Sequence, residues 1–288
     1  MGWVLVVNPY ASKVTEEAIA RVEAALPAPL RTIRTERRGE ATELARELDG
    51  TVEALVAFGG DGTFNEVLNG ARGETPLGFL PGGGTSVLPR ALGLPRDPGA
   101  AAARIARGGT RRIALGRVNG RRFGFNAGIG LDADLVRAVD RLGRRPDGRR
   151  PGDRAFARAA SGVVLGRRGR FEPALEVEGL GRAAFVLVAN CAPYTYLGRV
   201  GLRVAGGASF DRGLELVAPI RLTPWSLPRF AYQALRGASG SSVLSAHDAD
   251  RLVVHCDAPM ALQVDGEDLG DVGEAVFEAE RDAVTVLV

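Results

Sequence analysis

Cysteine, histidine and lysine are scarce in this chain. Its 288 residues include two cysteines, Cys191 and Cys256, two histidines, His247 and His255, and one lysine, Lys13. Neither cysteine lies in a C-x-x-C pair, which excludes the usual zinc and dithiol spacings. Both sit in apolar, strand-like runs and read as buried thiols of a reducing compartment. Two isolated histidines make no metal cluster, and His255, inside Leu252–Cys256, reads as structural. No run approaches the roughly 20 apolar residues that a membrane helix needs. The apolar start, Met1 to Pro9, lacks the basic leader of a signal peptide. Met1-Gly2 is followed by Val6 where a myristoylation site needs Ser or Thr. A cytoplasmic protein without an intrinsic anchor is expected.

What is present is ordinary in bulk. Hydrophobic residues make up 45% and charged residues 25%, as in a soluble globular protein. The length exceeds what one core usually serves, so two domains are expected. The net charge of +3 and pI of about 9.2 favour anionic surfaces without identifying one.

The first third alternates strands and helices. Val4–Val7, Arg31–Thr35, Val52–Phe58 and Leu77–Leu80 read as strands. Thr15–Leu26, Glu40–Leu48 and Thr63–Asn69 read as helices, with Ile19, Val22 and Leu26 on one face. This alternation predicts a parallel sheet covered by helices. Near residue 111 the character changes. Apolar residues flank Asn119-Gly120, the strongest short hairpin signal because both turn positions need positive φ. Strands are expected at Phe185–Ala189, Leu214–Ala218, Leu252–Cys256, Ala261–Val264, Ala275–Glu278 and Val284–Val288, with few helix signals between them. The fold class predicted is therefore α/β plus all-β: a parallel-sheet α/β domain over residues 1–111 and an antiparallel β-sandwich over 112–278, with the tail 279–288 returning to the first. Pro224–Arg236 is the one helix expected in the second part, with packing as its default role and a lipid-facing role as the alternative. Residues 141–158 are rich in Arg, Gly and Pro and read as a solvated loop. The alternative is a loop that meets anionic lipid head groups. Nucleic acid is not favoured, since no aromatic residue is interleaved before Phe156.

Three constellations carry chemistry. Gly59-Gly60-Asp61-Gly62-Thr63 follows a strand and opens a helix. Glycines let backbone N–H groups approach phosphate oxygens, and a helix start adds partial positive charge. Asp61 would repel a phosphate, but suits Mg²⁺ or a substrate hydroxyl. A second glycine loop, Pro81-Gly82-Gly83-Gly84-Thr85-Ser86, follows the next strand. Loops at the carboxyl ends of adjacent parallel strands lie side by side, so the two together suit one nucleotide. There is no GxxxxGK[ST] loop and no Gly-rich protein-kinase set. The GxGxxA match at Gly179–Ala184 lies in the β region and reads as a hairpin turn. The third constellation, Gln263-Val264-Asp265-Gly266-Glu267-Asp268, ends a strand in a turn with three carboxylates. Such acids can raise one another's pKa, which suits a general base, or can form a solvated turn.

The run Gly59-Gly60-Asp61-Gly62-Thr63-Phe64-Asn65-Glu66-Val67-Leu68-Asn69-Gly70 resembles the signature of the diacylglycerol kinase catalytic domain family, which includes sphingosine kinases and bacterial lipid kinases. Asn8-Pro9, Thr35, Phe125–Ala133 and Asp265-Gly266-Glu267 resemble further motifs of that family in the same order. The resemblance implies two domains with ATP and Mg²⁺ in a cleft between them. It implies that Asn8, Pro9, Thr35, Gly59, Gly60, Asp61, Gly62, Thr63, Glu66, Gly83, Gly84 and Thr85 line the nucleotide site. It assigns Glu267 as the base that deprotonates a lipid hydroxyl, Asp61 as an orienting group, and Asp132 and Asp265 as supporting acids. A lipid substrate at a membrane surface follows, with peripheral, transient attachment; a homodimer is left open. Two departures stand out. Ser86 follows Thr85 where the family usually has Asn. Arg212 follows Asp211 where the family's structural Mg²⁺ site has a second Asp, and a guanidinium cannot ligate a metal. That metal is expected to be absent or weakened at Asp211. The alternatives are a kinase of a soluble substrate, such as NAD kinase with its similar Gly-Gly-Asp-Gly loop, or a catalytically silent relative.

Overall fold

The structure is a computed structural model that describes residues 2–143, 153–197, 200–236, 240 and 242–288. The chain forms two compact units, one of Met1–Leu115 with Arg281–Val288 and one of Gly116–Glu280.

The first unit alternates β1 (Trp3–Val7), α1 (Glu16–Ala25), β2 (Leu30–Arg34), α2 (Glu40–Leu48), β3 (Ala54–Gly59), α3 (Asp61–Gly70) and β4 (Leu77–Pro81), followed by α4 (Val87–Ala91) and α5 (Pro98–Ile105). The helix starts are written locally. Thr15 accepts the Ala18 N–H at 3.1 Å, and Glu16 and Glu17 occupy the positive first turn of α1. Asp97 caps α5, with Pro98 at its first position. The strands pair in parallel in the order β4-β3-β1-β2. β3 and β4 are buried throughout, which is why they read as continuous apolar runs rather than alternating ones. Their register sets Gly59 opposite Pro81 and Val7 opposite Phe58. Asn8, Gly60 and the 82–86 loop therefore leave the same edge of the sheet.

The chain leaves this unit within β5 (Thr110–Val118). β6 (Arg121–Phe123) and β7 (Asn126–Ile129) follow, then α6 (Leu131–Asp140) and α7 (Asp153–Gly166). Next come β8 (Leu175–Val177), β9 (Gly181–Ala183), β10 (Val186–Ala189), β11 (Thr195–Leu197), β12 (Val200–Leu202), β13 (Leu214–Pro219), α8 (Leu227–Arg236) and β14 (Val243–Ala249). β15 (Arg251–Val264) and β16 (Glu267–Leu287) end the chain. In the second unit the order is β14-β13-β10-β7-β15-β16, with every pairing antiparallel. Inward residues of these strands, among them Ile129, Val188, Leu216, Val254 and Phe277, form one core. β16 runs on into the first unit, where Val286 pairs in parallel with Leu77 of β4.

Several expectations change in detail. Leu252–Cys256 and Ala261–Val264 are the ends of one bulged strand, and Ala275–Glu278 and Val284–Val288 belong to another. Asn119 and Gly120 have φ of 48° and 86° and join β5 to β6, as a two-residue turn of positive φ requires. Gly179 lies between β8 and β9, so the GxGxxA match is a hairpin. Helices α5, α6 and α7 add to the helices expected from the sequence. Residues 153–158 open α7 rather than continue a loop. The expected Arg-rich contact falls mostly on residues 144–152, which lie outside the described residues.

Candidate functional site

In the first unit the two glycine loops touch through their backbones. The Gly82 N–H donates to the Gly59 carbonyl at 2.7 Å. A methyl group on Gly83 would stand 2.9 Å from the Gly60 Cα, and one on Gly82 would stand 2.9 Å from the Gly59 carbonyl oxygen. No side chain fits between the loops, so glycine is required on the inner side of the contact. Gly84 differs, because a Cβ there meets nothing within 4 Å. Gly84 and Thr85 are exposed, available to a ligand without rearrangement.

Side chains lock this pair of loops. Asn8 donates through Nδ2 to the Thr63 hydroxyl at 2.9 Å, and its Oδ1 accepts the Tyr10 N–H at 3.0 Å. Asn8 thus forms the turn that carries Pro9 and also fixes the first turn of α3. The Asp61 Oδ1 accepts the Val87 N–H at 2.7 Å, at the start of α4. The acid that looked misplaced in a phosphate cradle therefore ties one loop to the other. Ser86, where the family motif has Asn, takes a left-handed φ of 49° as the turn into α4. Glu66 faces the neighbouring helix: its Oε1 accepts the Gly39 N–H at 3.0 Å, and its carbonyl accepts the Thr42 hydroxyl at 2.9 Å. Thr35 is buried, its N–H on the Val7 carbonyl. Sequence reasoning passed over Lys13. Its backbone N–H donates to the Gly82 carbonyl at 2.9 Å. Partial burial, then repulsion from Arg96 and Arg90, lowers its ammonium pKa. Three cations thus gather beside the second loop, where anionic phosphates would be stabilised. The signal available in the sequence was that the chain's single lysine follows the Asn8-Pro9 turn.

In the second unit the three carboxylates of the 263–268 turn separate into three roles. Asp265 and Gly266, at φ of 48° and 78°, make the two-residue turn between β15 and β16. The Asp265 side chain is buried and accepts three backbone N–H groups: Gly124 at 2.7 Å, Phe125 at 3.0 Å and Asn126 at 3.1 Å. Asp268 binds the Arg137 guanidinium of α6 with both oxygens, at 2.7 and 2.9 Å. That hydrogen bonding holds the Asp268 carboxyl below its ordinary range. Glu267 begins β16, with its carboxylate 3.5 Å from the Arg121 guanidinium and still partly accessible.

Behind the turn lies a polar network. Gln263 donates through Nε2 to the Asn126 Oδ1 at 2.9 Å and the Asp132 Oδ2 at 2.5 Å, and its Oε1 accepts the Gly266 N–H at 2.9 Å. The Tyr194 hydroxyl donates to the same Asp132 oxygen at 2.6 Å, and Asn126 donates to the Tyr194 carbonyl. Burial pushes the Asp132 carboxyl up, against the pull of its bonds to Tyr194 and Gln263. Burial, and then the Asp132 charge, pushes the Tyr194 phenol well above its usual value, which keeps it a neutral donor.

Asp211 lies in an exposed turn, its carboxylate 3.3 Å from the Ser209 hydroxyl. Among the described residues, no three His, Cys, Asp or Glu side chains gather as a metal cage. Nearby, the buried Glu215 accepts the Asp248 N–H at 3.2 Å and meets the His247 ring at 2.6 Å.

Residues 2–118 match the family model described as the diacylglycerol kinase catalytic domain. A diacylglycerol kinase of Staphylococcus saprophyticus is 44% identical over 94 residues, which are 31% of this chain and 30% of that protein. A diacylglycerol kinase of Bacillus subtilis is 41% identical over 103 residues, 34% of each chain. The matched segment thus spans about a third of these relatives. A solved structure of a diacylglycerol kinase from Bacillus anthracis has a TM-score of 0.73 at 19% identity, covering 99% of this chain and 96% of its own. An NAD kinase from Archaeoglobus fulgidus, solved with ATP, has a TM-score of 0.50 at 13% identity, with 99% and 93% covered. At these identities the likeness is one of fold. These neighbours are two-domain folds, and this chain has a mixed parallel sheet in its N-terminal part and antiparallel strands in its C-terminal part.

Proposed function

We propose that the chain is a lipid kinase that transfers the γ-phosphate of ATP to a lipid hydroxyl such as that of diacylglycerol. The observation that carries the nucleotide half is the contact of two glycine loops at one edge of a parallel sheet, beside Lys13, Arg90 and Arg96. The family match over residues 2–118 supports the reaction class, and the relatives' names support a lipid acceptor. The ATP bound by the NAD kinase of similar fold supports the choice of donor.

In this reading Asn8, Pro9, Thr35, Gly59 to Thr63, Glu66 and Gly83 to Thr85 shape the nucleotide site. The backbone N–H groups of the glycine loops hold phosphate oxygens. Glu267 is the proton acceptor. The acceptor oxygen bonds to the γ-phosphorus while the bond to the β–γ bridging oxygen breaks, the hydroxyl proton passes to the Glu267 carboxylate, and ADP leaves. Asp265 and Asp132 act through other groups: Asp265 fixes the turn that presents Glu267, and Asp132 anchors the network behind it. Mg²⁺ fits the donor chemistry, since Asp61 offers a hard oxygen beside the loops and Mg²⁺ is commonly held by one or two carboxylates plus phosphate. When bound it would neutralise phosphate charge. Phosphoryl transfer depends chiefly on such positioning and charge stabilisation.

The test is incubation with γ-labelled ATP and total lipid extract, then identification of the labelled product. A labelled lipid that disappears with Glu267→Gln is expected. Label in NADP with none in lipid would replace this reading with a soluble acceptor.

A further inference from the structure

Glu267 shares its corner of the second unit with a cation that the catalytic reading leaves unassigned. The Arg121 guanidinium lies 3.5 Å from the Glu267 carboxylate. The two side chains are 34% and 13% exposed, so a ligand can reach both. Their relative position is fixed from below. Arg121 opens β6, directly after the Asn119-Gly120 turn. Two residues on, Phe123 is fully buried in the core of this unit. Its ring lies over Gly116 of the paired strand, where a methyl group would overlap it. The next three residues, Gly124, Phe125 and Asn126, donate their N–H groups to Asp265. One buried carboxylate therefore ties the strand that carries Arg121 to the turn that presents Glu267. Neighbouring arginines are engaged differently. Arg117 and Arg122 face each other across the hairpin and both meet Glu280, Arg122 at 2.6 Å. Arg137 holds both oxygens of Asp268. The Arg121–Glu267 separation is wider than the roughly 2.7–2.9 Å of a closed charge-assisted hydrogen bond.

We propose that Arg121 is a catalytic residue that holds the phosphoryl group during its transfer. The proposal rests on the kinase reading and adds to it a second reacting contact beside the base. The physical need is plain. An acceptor hydroxyl within about 2.6–3.2 Å of Glu267 must also stand about 3–3.5 Å from the phosphorus it attacks. An anionic proton acceptor and an anionic phosphoryl group are then one oxygen atom apart, and they repel. A cation shared between them removes the conflict. Arginine suits that place, because it stays charged and its fork of donors reaches a carboxylate and a phosphoryl oxygen together. As the acceptor oxygen bonds to phosphorus and the bridging oxygen leaves with ADP, the hydroxyl proton passes to Glu267. Charge spreads over the equatorial phosphoryl oxygens, and Arg121 donates to them where it develops.

The experiment follows the full chain with γ-labelled ATP and detergent-dispersed diacylglycerol. Arg121→Gln should lower kcat about a hundredfold or more and leave the KM for ATP within about threefold of wild type. Arg121→Lys keeps the charge on a shorter reach and should fall between the two. Added guanidinium ion should restore part of the turnover of Arg121→Ala. Unfolding in urea checks the fold: Arg121→Gln should keep the wild-type midpoint, because a partly exposed ion pair contributes little to stability. The double variant separates contact with the phosphoryl group from mere aiming of Glu267. In the Glu267→Gln background, Arg121→Gln should remove a further tenfold or so of the residual turnover. No further loss there would make Arg121 a positioning group and overturn the proposal. So would a wild-type kcat for Arg121→Gln alone, which would leave the kinase reading intact. A wild-type protein that labels neither lipid nor NADP would sink the kinase reading and this proposal with it.

Discussion

The substitution Asp265→Asn separates positioning from proton transfer. The aspartate carboxylate takes three backbone N–H bonds in a buried site. Asparagine tolerates the left-handed φ of 48° at this position, so the turn itself is not strained. Its Oδ1 can keep the bonds from Phe125 and Asn126. Its NH₂ then faces the Gly124 N–H, donor against donor. Hydrogen bonds to charged groups contribute about 1.5–3 kcal/mol, and a buried donor left unpaired adds a desolvation cost, so the variant should lose about 2–4 kcal/mol. Urea unfolding of the second unit, read by Trp225 emission in the Trp3→Phe background, gives that number. Glu267→Gln is the comparison. Its partner Arg121 is 3.5 Å away and partly exposed, so stability should change by no more than about 1 kcal/mol. Turnover should fall by about 10²–10⁴, the usual contribution of a general base. An Asp265→Asn protein as stable as wild type but inactive would refute the clamp. A fully active Glu267→Gln would refute the base.

Gly83→Ala should raise the KM for ATP and cost about 1–3 kcal/mol of stability, because its methyl group meets the Gly60 Cα; Gly84→Ala, with open space around it, should melt like wild type. His247→Ala removes the ring from the buried Glu215 carboxylate and should cost about 1–3 kcal/mol in urea titration, with His247→Gln recovering part through its amide N–H. The Asp132 carboxyl is raised in the folded state, so its contribution is full below about pH 4, where the unfolded chain is also protonated, and is lost as pH rises through the higher folded value. Asp132→Asn should therefore flatten the stability–pH curve above pH 4 and melt higher at neutral pH, while lowering turnover.

Legibility in the sequence follows how local each signal is. β1 to β4 and α1 to α3 are visible because buried parallel strands are unbroken apolar runs and helix starts carry their own caps, such as Thr15. The glycine loops are visible for the same reason: only glycine permits the close approach of Gly83 to Gly60, so the requirement is written at the position itself. Helix α7 is not visible, because its sequence opens within an Arg-, Gly- and Pro-rich stretch that hides the apolar stripe. β15 reads as two strands because bulges near His255 to Met260 interrupt the alternation that marks a pleated strand, and β16 does so because the charged run Glu280-Arg281-Asp282 separates its apolar stretches. The role of each acid in Asp265-Gly266-Glu267-Asp268 is hidden too. Those roles depend on Gly124 and Arg137, more than a hundred residues away, which no local pattern records.

The two units meet the need for rigidity by different physical means. In the first, backbone lies on backbone, and geometry is fixed by the absence of side chains. In the second, Asn126, Asp132, Tyr194 and Gln263 form a connected polar network, and Gln263 passes its constraint to the Gly266 N–H inside the turn. A network of this kind fixes orientation only while every member is paired, because an unpaired polar group in a dry site is costly. Loss of Tyr194 or Gln263 should therefore let the turn shift and lower turnover without removing any group that touches a reactant. Such variants would resemble catalytic knock-outs in a single-rate assay. The split that identifies them is kinetic and structural together: Tyr194→Phe should lose stability and turnover in parallel, whereas Glu267→Gln should lose turnover alone.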